Sequence, residues 1–178
     1  MADRHDTTPR PLGKLREFSN QLAERLRTAP QAADQTSRLA VRMGERGYLV
    51  DMSLASEIVP LGAIAAVPWT RSWYRGLINV RGRLVGVVDL DGFAGRHELV
   101  AADSQQALVF GEALGINAAL VVSRAFGLRS LTALRAIPAV GESPAWERGH
   151  WLDADGSMLI ELDLRALVKT PAFAMIGA

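Results

Sequence analysis

Val67-Pro68-Trp69-Thr70-Arg71-Ser72-Trp73-Tyr74-Arg75-Gly76-Leu77-Ile78-Asn79-Val80-Arg81-Gly82-Arg83-Leu84-Val85-Gly86-Val87-Val88-Asp89-Leu90 is the stretch on which the fold turns. Pro68 ends an extended segment, because its fixed φ and missing N–H suit neither a helix interior nor a strand ladder. Thr70 can cap a helix of one to two turns that carries Trp73 and Tyr74, with Gly76 as its stop. Two apolar runs, Leu77 to Val80 and Leu84 to Val88, then flank Arg81-Gly82 in the order of a strand hairpin. Trp69, Arg71, Trp73 and Tyr74 are a possible interface, since aromatics and arginine bury large areas and pair with carboxylates at protein contacts. Each tryptophan reads equally well as core, where large aromatics mostly lie.

Short strands continue on both sides. Upstream, Leu39, Val41 and Met43 alternate with Arg38 and Arg42, Gly44 to Gly47 makes a turn, and Tyr48-Leu49-Val50 resumes as in a half-buried hairpin. Further strands are expected at Glu57 to Val59, Ala107 to Phe110, Ala118 to Val122, Ile137 to Val140, Glu147 to Leu152 and Met158 to Glu161. Asp153-Ala154-Asp155-Gly156 is a hairpin loop rather than a calcium loop, because the ligand positions that should follow it are missing. Arg83 to Leu90 and Ser157 to Leu164 echo each other as apolar strands ending in Asp-Leu, and Asp89 and Asp163 look like helix N-caps. Many short strands with glycine and proline punctuation, and no βαβ alternation, favour a mainly β fold of paired small barrels.

The N-terminal part is different. Leu12, Leu15, Phe18, Leu22 and Leu26 recur every three or four positions, the stripe of an amphipathic helix that packs on its own domain or faces a partner. Thr28 to Ser37 has no periodicity and reads as a linker. The organisation expected is a tail, helix and linker over 1–37, a folded domain over 38–170 and a C-terminal tail over 171–178.

Composition excludes several classes. The 178 residues carry 20 Lys plus Arg against 19 Asp plus Glu, a net charge of +1, so no global field attracts nucleic acid or an anionic membrane. No apolar run approaches the length of a membrane span, no secretory signal is visible, and without cysteine there is neither a disulfide framework nor a thiolate metal site. A cytoplasmic setting fits. Among the histidines, His5 lies in the tail, His97 beside Glu98 reads as a solvated turn, and His150 beside Trp151 reads as a partly buried ring. There is no Gly-x-Ser-x-Gly elbow and no phosphate loop, and Gly82 and Gly86 sit within strand patterns. Catalytic, cofactor and metal residues are therefore all read as none. The rival readings are a hydrolase using His150 with Asp153 or Asp155, and a small barrel that binds nucleic acid through Arg71, Arg75, Arg81 and Arg83.

The stretch from Val67 to Leu90 resembles the CheW family. That family's pattern is Ile-Pro or Val-Pro, a short helix, Gly-x-x-Asn-Leu-Arg-Gly, a hydrophobic strand and Asp-Leu. Val67-Pro68, Gly76, Asn79-Val80-Arg81-Gly82, Val85 to Val88 and Asp89-Leu90 match it, with Val80 in place of Leu. The resemblance runs from about Arg38 to Leu167. It takes in Asp51 to Pro60 as the early, receptor-facing strand and Ile160 to Leu164 as the closing strand and helix start. The paired tryptophans and the N-terminal helix look most like PilI-type adaptors of chemosensory systems that control type IV pili. One departure is Gly127-Leu128-Arg129-Ser130-Leu131, which lacks the acidic residue that many members carry after Gly-Leu.

The resemblance implies a pair of small SH3-like five-stranded barrels with short helices and a groove between them. It implies a non-enzymatic adaptor, cytoplasmic and recruited to membrane receptor arrays, that binds the cytoplasmic tip of a chemoreceptor and a CheA-type histidine kinase. No cofactor, nucleic acid or membrane insertion is implied. The receptor groove would use Asn79, Val80, Arg81, Gly82, Glu57 and Val59. The output would be twitching motility, or alternatively flagellar chemotaxis.

Overall fold

The alternation of Leu39, Val41 and Met43 with arginine becomes strand β1 (Ser37–Met43), and the Gly44-Glu45 turn returns the chain as β2 (Arg46–Val50), with Met43 opposite Arg46. The computed structural model describes residues 36–96, 105–139 and 141–178. Met1–Thr36 and Ser37–Ala178 form two units, and every strand among the described residues belongs to the second. The amphipathic stripe of Leu12 to Leu26, most of the linker, His5 and His97-Glu98 lie outside the described residues.

After a 3-10 turn (Met52–Leu54) come β3 (Ala55–Pro60), β4 (Tyr74–Val80), β5 (Arg83–Val88), helix α1 (Leu90–Phe93), β6 (Gln106–Phe110) and β7 (Ala118–Val122). The rest is β8 (Arg124–Ser130), β9 (Arg135–Ile137), β10 (Glu147–Leu152), β11 (Met158–Leu162), α2 (Leu164–Lys169) and α3 (Pro171–Ala174). They make two sheets, one of six strands in the order β8-β1-β2-β11-β10-β9 and one of five in the order β3-β6-β7-β5-β4. The fold is mainly β with short helices, as the strand count and punctuation require.

The Asp-Leu echo has a topological meaning. β5 pairs in parallel with β7 and β11 in parallel with β2, while every other pairing of the described strands is antiparallel. Each echo strand then enters a helix through an aspartate cap. Asp89 accepts from the N–H groups of Asp91 and Gly92, and Asp163 accepts from that of Ala166 at 3.0 Å. The two sheets are therefore built around equivalent strand-cap-helix units.

Three apolar clusters follow from strand alternation. Ala40, Leu49, Leu134 and Leu159 fill the private face of the six-stranded sheet, and Ile78, Val80, Val85, Val87, Ala107, Val109 and Ala119 fill that of the five-stranded sheet. Their opposite neighbours, among them Val41, Tyr48, Val88, Leu108 and Ile160, meet in one large cluster shared by both sheets. Strands buried on two faces read as near-continuous apolar runs, which is what β5 to β7 show. In the shared cluster Trp73 lies edge-on to Phe93 at 5.1 Å and stacks on Phe173 at 6.3 Å.

The helix expected from Thr70 to Gly76 is not formed. Tyr74 already begins β4, and the Thr70 hydroxyl donates to the Val67 carbonyl at 2.8 Å instead of capping. Gly76 is no helix stop but a strand residue at φ +128°, crossed by the backbone of Ala65, which exchanges hydrogen bonds of 2.8 and 2.9 Å with Leu77. A side chain at 76 would meet the Ala65 carbonyl. Near the end of the chain the strand expected at Ile137 to Val140 lies earlier, at Arg135–Ile137. No sequence pattern points to β8, which adds a sixth strand to the first sheet.

Candidate partner-binding site

The β4–β5 hairpin presents the site. Val80 pairs with Arg83, leaving Arg81-Gly82 as a two-residue turn with both φ angles positive, 51° and 85°. This is the type I′ form, whose twist matches the flanking strands and whose first central place favours asparagine, aspartate or glycine. An arginine there costs about 1 to 2 kcal/mol of backbone strain. Asn79 steadies the turn, its Oδ1 accepting from the Gly82 N–H at 2.8 Å. Asn79→Ala should lower stability by about 0.5 to 1.5 kcal/mol, read from the urea midpoint; an unchanged midpoint would mean that water replaces the amide without loss.

Arg81 Nη2 reaches Glu57 Oε2 at 2.8 Å, with side-chain exposures of 81% and 21%. Glu57 belongs to β3, and β3 and β4 are opposite edges of the five-stranded sheet. A contact between the tip of one edge strand and the other edge requires the sheet to be strongly rolled, so the ion pair marks where its rim closes. The pair is solvent-reachable and adds little to stability, about 0 to 1 kcal/mol. Its guanidinium keeps other N–H groups for an outside acceptor.

The six residues expected at a receptor groove divide into two layers. Arg81, Glu57, Asn79 and Gly82 form the outer one, through the Arg81–Glu57 ion pair and the Asn79–Gly82 hydrogen bond. Val80 is buried in the sheet's private cluster and Val59 packs against that cluster, so both lie beneath the polar rim. Leu84, next to the tip and opposite Asn79, is a large exposed apolar residue that no motif marks. Strand alternation does not signal it, because Gly86 and Val88 share its face of β5 and are buried.

The aromatic group also divides. Trp73 is buried in the shared core and Tyr74 is half-buried above Gly86, whereas Trp69 and Arg71 are exposed. His150 is buried in β10, while Asp153 is held by Arg129 at 2.8 Å and Asp155 accepts from the Ser157 N–H at 2.8 Å. The Arg129 guanidinium and the Ala154 N–H hold the Asp153 carboxyl below its usual range. Arg129 and the N–H groups of the turn thus already occupy both carboxylates. Among the described residues no three His, Cys, Asp or Glu side chains gather as a metal site, and no helix is long and apolar enough to cross a membrane.

Comparison with known proteins agrees with this architecture. The protein PilI of Pseudomonas aeruginosa is 32% identical over 108 residues, which cover 61% of this chain and 60% of PilI's own length. The chemotaxis protein CheW of Thermotoga maritima is 21% identical over 147 residues, 81% of this chain and 95% of that protein. The crystal structure of the scaffolding protein TtCheW from Thermoanaerobacter tengcongensis superimposes with a TM-score of 0.63 at 21% identity, covering 77% of this chain and 94% of the other. The profile of the CheW-like domain matches residues 38–172, from the first residues of β1 into α3, and the chain is a member of the CheW-like domain family.

Proposed function

We propose that this chain is a non-catalytic chemosensory adaptor, holding the cytoplasmic tip of a methyl-accepting receptor on one face and a CheA-type histidine kinase on another. The observation that carries the reading is Arg81, kept at a strained positive φ at a hairpin tip with its guanidinium in solvent. Strain retained at an exposed, long, charged side chain points to a use outside the fold. Arginine suits carboxylates and helix-end carbonyls on a receptor tip. The mechanism is geometric: by fixing receptor and kinase in one lattice, the adaptor lets a receptor shift bias the kinase's active population. The likeness to PilI favours a two-component system driving type IV pilus twitching motility over a flagellar one, with the chain cytoplasmic and drawn to receptor arrays.

Nucleic-acid binding is disfavoured by charge pairing. Arg75, Arg81 and Arg83 face Asp89, Glu57 and Glu112 at 4.0, 2.8 and 3.8 Å, so most of the basic stripe is already opposed by carboxylates. Co-sedimentation of the full chain with a receptor cytoplasmic fragment and a CheA-type kinase tests the proposal. Recovery of all three together is expected. Failure to bind either one, or a salt-dependent shift of DNA or RNA instead, would overturn it.

A further inference from the structure

Trp69 is 89% exposed and sits at φ +61°. Both features run against its chemistry, since the indole leaves apolar area in water and a bulky residue is a genuine outlier at positive φ. Pro68 followed by a positive-φ residue is the order of a type II turn, in which glycine usually holds the second central place. The turn is nevertheless fastened. The Ala178 N–H donates to the Trp69 carbonyl at 2.9 Å, the Arg71 N–H to the Ile176 carbonyl at 2.8 Å, and Arg71 Nε to the Met175 carbonyl at 3.1 Å. Beneath this strap Phe173 is buried in the shared core. The indole is thus held out on a rigid base, with Met175 exposed beside its tether.

Charge indicates what such an anchor would meet. The strap itself, Trp69 to Arg71 against Met175 to Ala178, contains no Asp or Glu and its one cation is Arg71, whereas Arg75, Arg81 and Arg83 further along the chain already face carboxylates. Among the described residues no carboxylate pairs with Arg71, whose Nε–H goes to a carbonyl. The strap uses the backbone groups of Trp69 and Arg71, so a partner strand finds no open edge there and must dock through side chains. The exposed indole and Met175 beside the cationic Arg71 match a surface that sets carboxylates next to apolar side chains, as the edge of an amphipathic helix's apolar face does.

We propose that Trp69, Arg71 and Met175 form a second docking surface, for a partner's amphipathic helix that sets carboxylates beside its apolar face. It is distinct from the hairpin tip, because β4 separates the two by about 20 Å at roughly 3.3 Å per residue.

The test is titration of the full chain with a synthetic amphipathic helix of leucine and glutamate, about 20 residues long, and with its lysine counterpart, read by calorimetry and tryptophan emission. The glutamate peptide should bind at least about tenfold more tightly than the lysine peptide, and Trp69→Ala should weaken it at least about tenfold with an unchanged melting temperature. Arg71→Gln should weaken it too. Arg81→Ala should bind the peptide normally whatever its effect on receptor binding, which keeps this surface separate from the receptor reading. Equal binding by Trp69→Ala, or equal affinity for the lysine peptide, overturns the proposal. So does a Trp69-dependent dimer in sedimentation, or Trp69-dependent binding to phosphatidylglycerol vesicles without peptide binding.

Discussion

Arg96→Met should destabilise the domain by about 3 to 5 kcal/mol, because it strips the partner from buried carboxylates. Arg96 follows α1 and reaches three places at once: Asp91 Oδ1 at 3.1 Å, Glu147 Oε1 at 3.2 Å and the Tyr48 hydroxyl at 2.7 Å, with its guanidinium 5.8 Å from the Trp146 ring. Tyr48 and Glu147 come from β2 and β10 of the six-stranded sheet, whereas Asp91 comes from the helix that follows β5 of the other. One side chain therefore fastens the two sheets together. Methionine keeps the volume and loses every polar contact, leaving Glu147, among the described residues, with Arg46 at 3.7 Å and the Tyr48 hydroxyl at 3.4 Å. At about 2 to 4 °C per kcal/mol, the melting temperature should fall by about 10 °C.

The deficit should depend on pH with a definite sign. Burial pushes the Asp91 carboxyl above its ordinary value of 3.8, even with Arg96 facing it. A raised folded value means that protonation favours the fold; that contribution is full below the unfolded value and is lost as pH rises through the folded one. Removing Arg96 lifts the folded value further. The variant should accordingly lie furthest below the parent at neutral pH and approach it as Asp91 is protonated in acid. A deficit that does not change with pH would assign the loss to packing alone.

The second large effect falls on binding. Arg81→Ala should leave stability within about 1 kcal/mol, since the Glu57 pair is solvent-reachable and alanine inherits the same backbone strain. Receptor association should weaken by about 2 kcal/mol or more, as for an interface hot spot, with kinase binding less affected. Isothermal titration against a receptor cytoplasmic fragment measures this, alongside a thermal melt of the same preparation. Normal receptor affinity in the variant, or a loss that merely follows a fallen melting temperature, would remove Arg81 from the site.

The hairpin at Arg81-Gly82 and both aspartate caps are legible in the sequence because their signals are local: a turn glycine between apolar runs, and a capping residue before a helix. Other features depend on partners that no local pattern names. Gly76 reads as a helix stop because positive φ serves both a C-cap and a close crossing, and only the approach of Ala65 separates the two. Trp69 and Trp73 are chemically alike, yet one faces water and the other packs on Phe93 and Phe173; the fold around them decides which. β8 lies at a sheet edge, and its exposed residues Arg124 to Leu128 leave no alternation to read. The Arg96 cluster draws Tyr48 and Glu147 together across 99 positions, far beyond any periodicity. Glu57 entered the site through family resemblance, and its contact with Arg81 follows from the roll of a sheet whose edges are 24 residues apart at that point.

Coupling is most directly measured as kinase autophosphorylation in a reconstituted mixture of receptor fragment, CheA-type kinase and this chain. The kinase should respond to receptor only when the chain is present, and Arg81→Ala should abolish the response while the chain itself turns over no ATP. A receptor response without the chain, or ATP turnover by the chain alone, would contradict an adaptor role.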